Sequence, residues 1–140
     1  MNEDIIIQLI GEAIQARESS YAPYSGYCVG AALLCSDGGI ITGCNVENAS
    51  YGATNCAERT AVFKAVSEGK NSFSAIAIAG GKEDAVELDY AFPCGVCRQV
   101  LREFCEPSQF SVIICKSVSN YKILTLEELL PHSFGPDNLK

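Results

Sequence analysis

Two short stretches of this 140-residue chain bring together side chains that bind metals and move protons. They are residues 55–60 (NCAERT) and residues 93–98 (PCGVCR). Thiolates are soft ligands that suit zinc in a tetrahedral site. Three of them, from Cys56, Cys94 and Cys97, would leave the fourth position open for water, as in a catalytic site rather than a structural one. The two stretches therefore predict one zinc ion per chain.

Both stretches stand where a helix is expected to begin. The apolar pattern predicts one helix over Cys56–Glu68 and another over Pro93–Phe104, since proline is well tolerated at a helix start. Cys94 and Cys97 are three residues apart, which separates their sulfurs by about 60° around a helix axis. If the two helices pack with their N-termini together, all three thiols converge, and the helix dipoles favour their deprotonated form.

Glu58 and Arg59 are the candidate catalytic side chains beside these thiols. The Glu58 carboxylate could carry protons in a hydrolytic reaction. On a regular helix it would point about 200° away from Cys56, so the two share a cavity only if Cys56 lies at the helix cap or first turn. Arg59 could donate to the ligand sulfurs and offset the net negative charge of three thiolates around Zn²⁺. The alternatives are an acidic first-turn residue and an exposed helix charge.

Charge and composition exclude several classes of protein. The formal net charge is −7 and the ten lysines and arginines are scattered, which argues against nucleic-acid binding. No apolar run approaches the roughly 20 residues of a membrane-spanning helix. The acidic start does not resemble a secretory signal, so we expect a cytoplasmic protein. The sole histidine, His132, is expected at the surface and is not assigned to the metal. The five other cysteines lie in apolar patterns typical of buried positions.

Hydrophobic periodicity predicts an α/β fold with residues 1–140 as a single domain. A first helix is expected over Asp4–Glu18, and a short last helix after the capping-box pattern at Thr125, ending at Pro131. The order α-β-β-α-β-α-β-β-α favours a three-layer α-β-α sandwich around a five-stranded mixed sheet. The predicted strands are Tyr27–Cys35, Ile40–Val46, Phe73–Ala79, Phe110–Cys115 and Tyr121–Leu124.

With these features the sequence resembles the small zinc-dependent cytidine deaminases. The zinc-deaminase signature is H-x-E followed by P-C-x-x-C, with a three-cysteine variant, and it reads here as residues 56–58 (CAE) and 93–97 (PCGVC). The likeness continues through residues 21–25 (YAPYS), 29–33 (VGAAL), 43–49 (GCNVENA) and 127–131 (EELLP).

This resemblance implies hydrolytic deamination of cytidine and 2′-deoxycytidine to uridine and 2′-deoxyuridine, with release of ammonia, in pyrimidine salvage. Glu58 would move protons from the attacking water to the base and to the departing amine. Asn45 and Glu47 would hold the ribose 3′-hydroxyl, and the backbone N–H of Ala57 would contact the pyrimidine O2. Ala49 is the last residue of the same segment, Asn45–Ala49, and is also expected to contact the nucleoside.

Three further aromatic positions follow from the resemblance. Tyr27 stands where the family usually has a phenylalanine that stacks on the base, and it adds a hydroxyl that needs a partner. The resemblance to the three-cysteine members implies a homotetramer whose active sites are shared between subunits. Tyr51 and Phe134 occupy the positions that would reach a neighbouring site.

Three alternatives stay open at this point. Cys94-x-x-Cys97 is also a dithiol spacing of redox proteins, although that leaves Cys56 and Glu58 without a role. A deaminase of RNA or DNA would share the zinc residues but must bind a polyanion. A third possibility is deamination of a modified nucleoside such as a blasticidin-type antibiotic, against which the Asn45–Ala49 segment argues.

Overall fold

The computed structural model describes all of residues 1–140. Asn2 caps the first helix by accepting the Ile5 N–H on its side-chain oxygen at 2.9 Å, and Glu3 and Asp4 follow in the first turn, where the helix dipole favours negative charge. The elements are α1 (Glu3–Ala16), β1 (Tyr27–Cys35), β2 (Ile40–Cys44), α2 (Ala57–Ser67), β3 (Phe73–Lys82), α3 (Gly95–Phe104), β4 (Ser111–Ser117), β5 (Asn120–Thr125) and α4 (Leu126–Leu129). Short 3₁₀ turns lie at Arg17–Ser19, Tyr51–Ala53 and Pro136–Leu139.

The five strands form one mixed sheet in the order β2-β1-β3-β4-β5. Strands β3 and β4 are parallel, with Ala77 opposite Ile113, and every other neighbouring pair is antiparallel. The parallel connection carries α3, as expected for a crossover between parallel strands. It also brings the start of α3 to the same end of the sheet as the start of α2.

Helices cover both faces of the sheet and create two apolar cores. Helix α1 packs on one face, where β3 contributes Ala75, Ala77 and Ala79. Helices α2 and α3 pack on the other face against Ile76 and Ile78 of the same strand. The alternation along β3 follows the two-residue period of a strand. The predicted three-layer sandwich and its five-stranded mixed sheet are confirmed.

A glycine on β2 sets the position of α2. A Cβ at Gly43 would lie 2.6 Å from the carbonyl oxygen of Ala57 and 2.5 Å from the backbone nitrogen of Ala61. Contacts this short with backbone atoms cannot be relieved by a side-chain movement. Gly43 therefore lets the backbone of the first turn of α2 lie directly on the sheet, next to the site residues.

Several predicted boundaries were wrong. Strand β3 does not end at Ala79 but runs to Lys82, because Gly80 and Gly81 pair with Val29 and Cys28 of β1. Strand β2 ends at Cys44 rather than Val46, since the N–H of Asn45 turns to the carbonyl of Val29. Helix α1 ends at Ala16, and the predicted last turn to Glu18 is 3₁₀.

The capping box at Thr125 is confirmed, because its hydroxyl accepts the Glu128 N–H at 3.1 Å and the Glu128 carboxylate accepts the Thr125 N–H at 2.9 Å. It starts α4 immediately after β5. None of the helices is both long and apolar enough to cross a membrane.

Candidate functional site

Both thiol-bearing helices begin one or two residues later than their sequence predicts. The ordered helix starts at Ala57 in α2 and at Gly95 in α3, so Cys56 and Cys94 are the N-cap residues. Their backbones are extended, with φ −75° and ψ 157° at Cys56 and φ −67° and ψ 167° at Cys94. Neither side chain caps its own helix, which leaves both sulfurs free to turn towards each other. The condition that Cys56 lie at the cap is met.

The three predicted ligand sulfurs lie within 4.8 Å of one another. The Sγ atoms of Cys56 and Cys94 are 3.8 Å apart and those of Cys94 and Cys97 are 3.5 Å apart. A tetrahedral zinc ion with bonds of about 2.3 Å to sulfur separates its ligands by about 3.8 Å. All eight cysteines are free thiols, so no disulfide competes for these sulfurs. The donor type and the spacing therefore fit zinc.

The charges around the thiols favour thiolate at Cys56. Its pKa is lowered to about 5, first by a hydrogen bond from Cys97 and then by the Arg59 guanidinium, against the opposing effect of burial. The pKa of Cys97 is raised because its proton is held in that bond. Arg59 donates from its terminal nitrogen to Cys56 Sγ at 3.2 Å. Burial disfavours the charged guanidinium, but its hydrogen bonds to Cys56 and Cys97 outweigh this and raise the Arg59 pKa.

Glu58 is the one buried carboxylate of the protein, with 4% of its surface exposed. Burial raises its pKa to about 7, since a charged carboxylate loses solvation in this position. A carboxyl group with a pKa near neutrality can both accept and donate a proton at physiological pH. Glu58 follows Ala57 in the first turn of α2 and lines the same pocket as Cys56 and Cys94.

This main pocket has a volume of about 380 Å³ and lies beside the thiols. It contains the predicted residues Tyr27, Asn45 and Ala57. Five further lining residues were not singled out from the sequence: Val29, Thr54, Ile78, Ala91 and Phe92. Ala91 and Phe92 directly precede the Pro-Cys-x-x-Cys stretch, so their adjacency was a usable signal. Thr54 directly precedes the stretch 55–60, so the same signal applied to it. For Ile78 the sequence offers none, because the sheet topology brings it there.

Asn45 is buried, and its side chain hydrogen-bonds to the backbone at the N-terminal end of β1. The amide oxygen accepts the Val29 N–H at 2.9 Å and the amide nitrogen donates to the Tyr27 carbonyl at 2.8 Å. One N–H and one lone pair of this side chain remain for a further partner. Asn45 therefore fixes the backbone of β1 at the point where Tyr27 enters the pocket.

Glu47 and Tyr51 line a second pocket of about 370 Å³, and Thr54 lines both pockets. The Glu47 carboxylate accepts the N–H groups of Tyr24 at 3.0 Å and Ser25 at 3.2 Å, as well as the Ser25 hydroxyl. The Ser25 hydroxyl bond is the largest cause of its lowered pKa, so Glu47 stays anionic. Tyr51 meets the Tyr24 ring edge-on at 6.1 Å.

Two of the predicted substrate-binding residues, Ala49 and Phe134, lie outside the two pockets described above, and so does His132. Ala49 is exposed on the loop before the Tyr51 turn. Phe134 is 58% exposed, and its carbonyl oxygen accepts from the Gln99 side chain at 2.9 Å. His132 is exposed with φ 53° and is not part of the thiol cluster.

Comparison with known proteins gives a consistent set of relatives. Residues 4–113 match the family described as the cytidine and deoxycytidylate deaminase zinc-binding region. The chain is 50% identical to a cytidine deaminase of Halalkalibacterium halodurans over 94% of this chain and 95% of that protein. It is 44% identical to a probable cytidine deaminase of Dictyostelium discoideum over 99% of this chain and 90% of that one.

Solved structures show the same similarity. A crystal structure of cytidine deaminase from Burkholderia pseudomallei superposes with a TM-score of 0.81 at 44% identity, covering 91% of this chain and 97% of that one. The cytidine deaminase of Mycobacterium tuberculosis superposes with a TM-score of 0.76 at 41% identity, covering 91% and 95%. Both fold and sequence are therefore shared over nearly the full length.

Proposed function

Because the chain belongs to the cytidine and deoxycytidylate deaminase family, we propose that its main pocket hydrolyses cytidine and 2′-deoxycytidine to uridine and 2′-deoxyuridine. One water is consumed and one ammonia is released per turnover, within pyrimidine salvage. The observation that carries this proposal is the buried Glu58 carboxyl in the same pocket as Cys56 and Cys94 of the three-thiol cluster. Residues 1–140 act as one deaminase domain.

Zinc is the cofactor, one ion per chain, and Cys56, Cys94 and Cys97 hold it. When bound, the metal supplies a Lewis acid that makes water nucleophilic near neutral pH. Arg59 and the N-termini of α2 and α3 place positive charge against the thiolates. This charge offsets the negative field that three thiolates would otherwise direct at the reacting atoms.

Glu58 carries the protons of the reaction. It accepts one from the attacking water and delivers it to N3 of the pyrimidine, which makes C4 more electrophilic. The water oxygen bonds to C4, and Glu58 then takes the proton of this new hydroxyl group and transfers it to the amino group. The C4–N bond breaks, the C4 carbonyl of the product forms, and ammonia leaves as a neutral molecule. A pKa near 7 suits both directions of transfer, and burial keeps bulk water from competing for the carboxyl group.

The remaining pocket residues orient the nucleoside. The Tyr27 ring supports the base, and the Ala57 N–H, which has no partner within the helix at this position, donates to the pyrimidine O2. Asn45 and Glu47 hold the ribose 3′-hydroxyl from the two adjoining pockets, and Ala49 belongs to the same segment. The fixed negative charge of Glu47 favours a free sugar hydroxyl over a phosphate.

The assembly is a homotetramer in this proposal, with active sites completed by neighbouring subunits. Its support is the position of Tyr51 and Phe134, which are 77% and 58% exposed although aromatic. Burial of such rings in an interface would remove apolar surface from water. Sedimentation velocity would report the mass of the assembly, and a monomer would contradict it. The compartment is the cytoplasm, where eight free thiols stay reduced.

The deciding experiment is an assay of the purified, zinc-loaded protein with cytidine, 2′-deoxycytidine and a cytosine-containing single-stranded oligonucleotide. We expect equal amounts of uridine and ammonia from cytidine, the corresponding product from 2′-deoxycytidine, and no reaction on the oligonucleotide. A protein that holds one zinc per chain and turns over neither nucleoside would refute the proposal. Product from the oligonucleotide alone would favour a nucleic-acid deaminase.

A further inference from the structure

Residues 88–92, here called the wall segment, form one side of the main pocket. Ala91 and Phe92 line the cavity, and Leu88 is buried at the start of the segment. The segment belongs to no helix or strand and makes only an isolated bridge between Asp89 and Gly80. Its position therefore depends on a small number of specific contacts.

Asp89 fastens the wall segment to the sheet at two points. Its backbone N–H donates to the Gly80 carbonyl at 2.8 Å, and its carboxylate accepts the Tyr27 hydroxyl at 3.1 Å. Burial, and next the neighbouring Asp89 carboxylate, raise the pKa of Tyr27, so the hydroxyl keeps its proton and remains the donor. The Tyr27 ring lines the pocket while its hydroxyl reaches the wall segment.

Gly80 shows how closely the wall segment lies on the sheet. A Cβ at this position would be 2.7 Å from the Ala91 Cβ and 3.3 Å from Cε2 of the Tyr27 ring. The Ala91 methyl group and the Tyr27 ring therefore lie next to each other over Gly80. A shift of the wall segment would move one side of the cavity and the ring beside it together.

Tyr90 holds the opposite side of the wall segment. Its hydroxyl donates to the Asn120 side chain. The ammonium groups of Lys116 and Lys122 lie 4.7 and 4.5 Å from the centre of its ring, a cation–π arrangement. Asp89 is thus bound to β1 and Tyr90 to the β4–β5 hairpin, with Ala91 and Phe92 following directly.

We propose that Asp89 is a positioning residue for the nucleoside: through the Tyr27 hydroxyl it holds the wall segment and the Tyr27 ring in the arrangement that receives the pyrimidine. This inference rests on the proposed function. The hydrogen bond joins neither the three thiols nor Glu58, so it acts on substrate binding and not on proton transfer. Phenylalanine at position 27 would keep the ring and lose this connection.

Steady-state kinetics on cytidine with Tyr27→Phe, Asp89→Ala and the double variant test the inference. Each single change is expected to raise KM about three- to ten-fold with kcat within about two-fold, as for loss of one hydrogen bond that acts on binding. The double variant should match the larger single effect, because both changes remove the same bond. Asp84→Ala, an exposed carboxylate without a side-chain hydrogen bond just before the wall segment, is the matched control and should leave both constants unchanged.

Amide hydrogen exchange supplies a readout that does not depend on activity. Exchange at residues 89–92 should rise in Tyr27→Phe and in Asp89→Ala, and not in Asp84→Ala. Unchanged KM in either single variant, additive effects in the double variant, or a fall in kcat alone would each overturn the inference while wild-type turnover stands. A wild-type protein without cytidine turnover would overturn the proposed function as well.

Discussion

The N-terminal turns of α2 and α3 have similar backbones but place different side chains at the candidate site. Each has an N-cap cysteine with an extended backbone and no side-chain cap. Each also carries an arginine within four residues of that cysteine, Arg59 in α2 and Arg98 in α3. At the second helical position, however, α2 places the buried carboxyl of Glu58, whereas α3 places Val96, which is 57% exposed. In the proposed mechanism, the start of α2 combines one zinc ligand with the proton carrier, while the start of α3 supplies two ligands.

The two arginines differ in the same way. Arg59 donates to a ligand sulfur, Cys56 Sγ, at 3.2 Å. Arg98 donates instead to the backbone carbonyls of Pro93 at 2.8 Å and Leu129 at 2.6 Å, which ties the start of α3 to α4. The two arginines have similar local sequences, but their tertiary surroundings give them different partners, a thiol for Arg59 and backbone carbonyls for Arg98.

The largest effect is expected from removing a ligand at the α3 start. Cys97→Ala leaves two thiolates, too few to hold zinc in a site of this kind. Zinc content should fall from about one ion per chain to near zero and cytidine turnover to background, since the Lewis acid is lost. Metal analysis and kinetics on the same preparation measure both. Full zinc occupancy with normal turnover would remove Cys97 from the metal site.

Replacing the proton carrier at the α2 start should separate chemistry from metal binding. Glu58→Gln keeps the shape and removes the acid, so kcat should fall by about 10²–10⁴-fold. Zinc content should stay at one per chain because the thiols are untouched. Glu68→Gln, an exposed carboxylate at the other end of α2, serves as the control. Wild-type rates in Glu58→Gln would exclude this residue from the mechanism.

Replacing Arg59 and Arg98 one at a time tests whether the two arginines differ in function as they differ in their hydrogen-bond partners. Arg59→Gln should lower turnover by roughly ten-fold, as for loss of a group that supports a metal ligand. Loss of its positive charge raises the pKa of acids in the pocket, so the acid limb of the pH–rate profile should move to higher pH. Arg98→Gln should leave that profile in place and lower the free energy of unfolding by about 1–3 kcal/mol, measured by denaturant titration. Identical pH–rate profiles in the two variants would contradict the prediction that only Arg59 affects the acids of the pocket.

The smallest effect is expected at the far end of α3. Cys105 is buried in the core, and burial raises its pKa to about 12, so it remains a thiol and not a ligand. Cys105→Ala should lower the free energy of unfolding by about 1 kcal/mol and leave zinc at one per chain. A loss of zinc in this variant would mean that the metal site extends beyond the two helix starts.

The cluster of three thiols and the carboxyl group beside it could be predicted because the spacing of these residues is local. Cys94 and Cys97 share one helix turn, and the position of Glu58 relative to Cys56 required a cap, which the structure confirms. The fold class followed from periodicity in the same way. Boundaries were less accurate, since the extension of β3 through Gly80 depends on pairing with Val29 of a distant strand.

The rest of the pocket could not be predicted because it is assembled by tertiary contacts. Val29 and Ile78 reach the cavity from β1 and β3, two strands that are distant in sequence and pair in the sheet. Asn45 has a sequence position that suggests a ligand contact, yet its amide already bonds to the backbone of Tyr27 and Val29. The partner of the Tyr27 hydroxyl, Asp89, lies 62 residues away in sequence. No local pattern indicates such a pair.

The central claim is that three sulfurs at two helix starts bind zinc and leave one position for water. X-ray absorption at the zinc edge of the purified protein tests it most directly. The expected result is about one zinc per chain with three sulfur neighbours at about 2.3 Å and one oxygen neighbour at about 2.0–2.2 Å. Four sulfur neighbours, or a fourth protein ligand in place of the water oxygen, would contradict this arrangement.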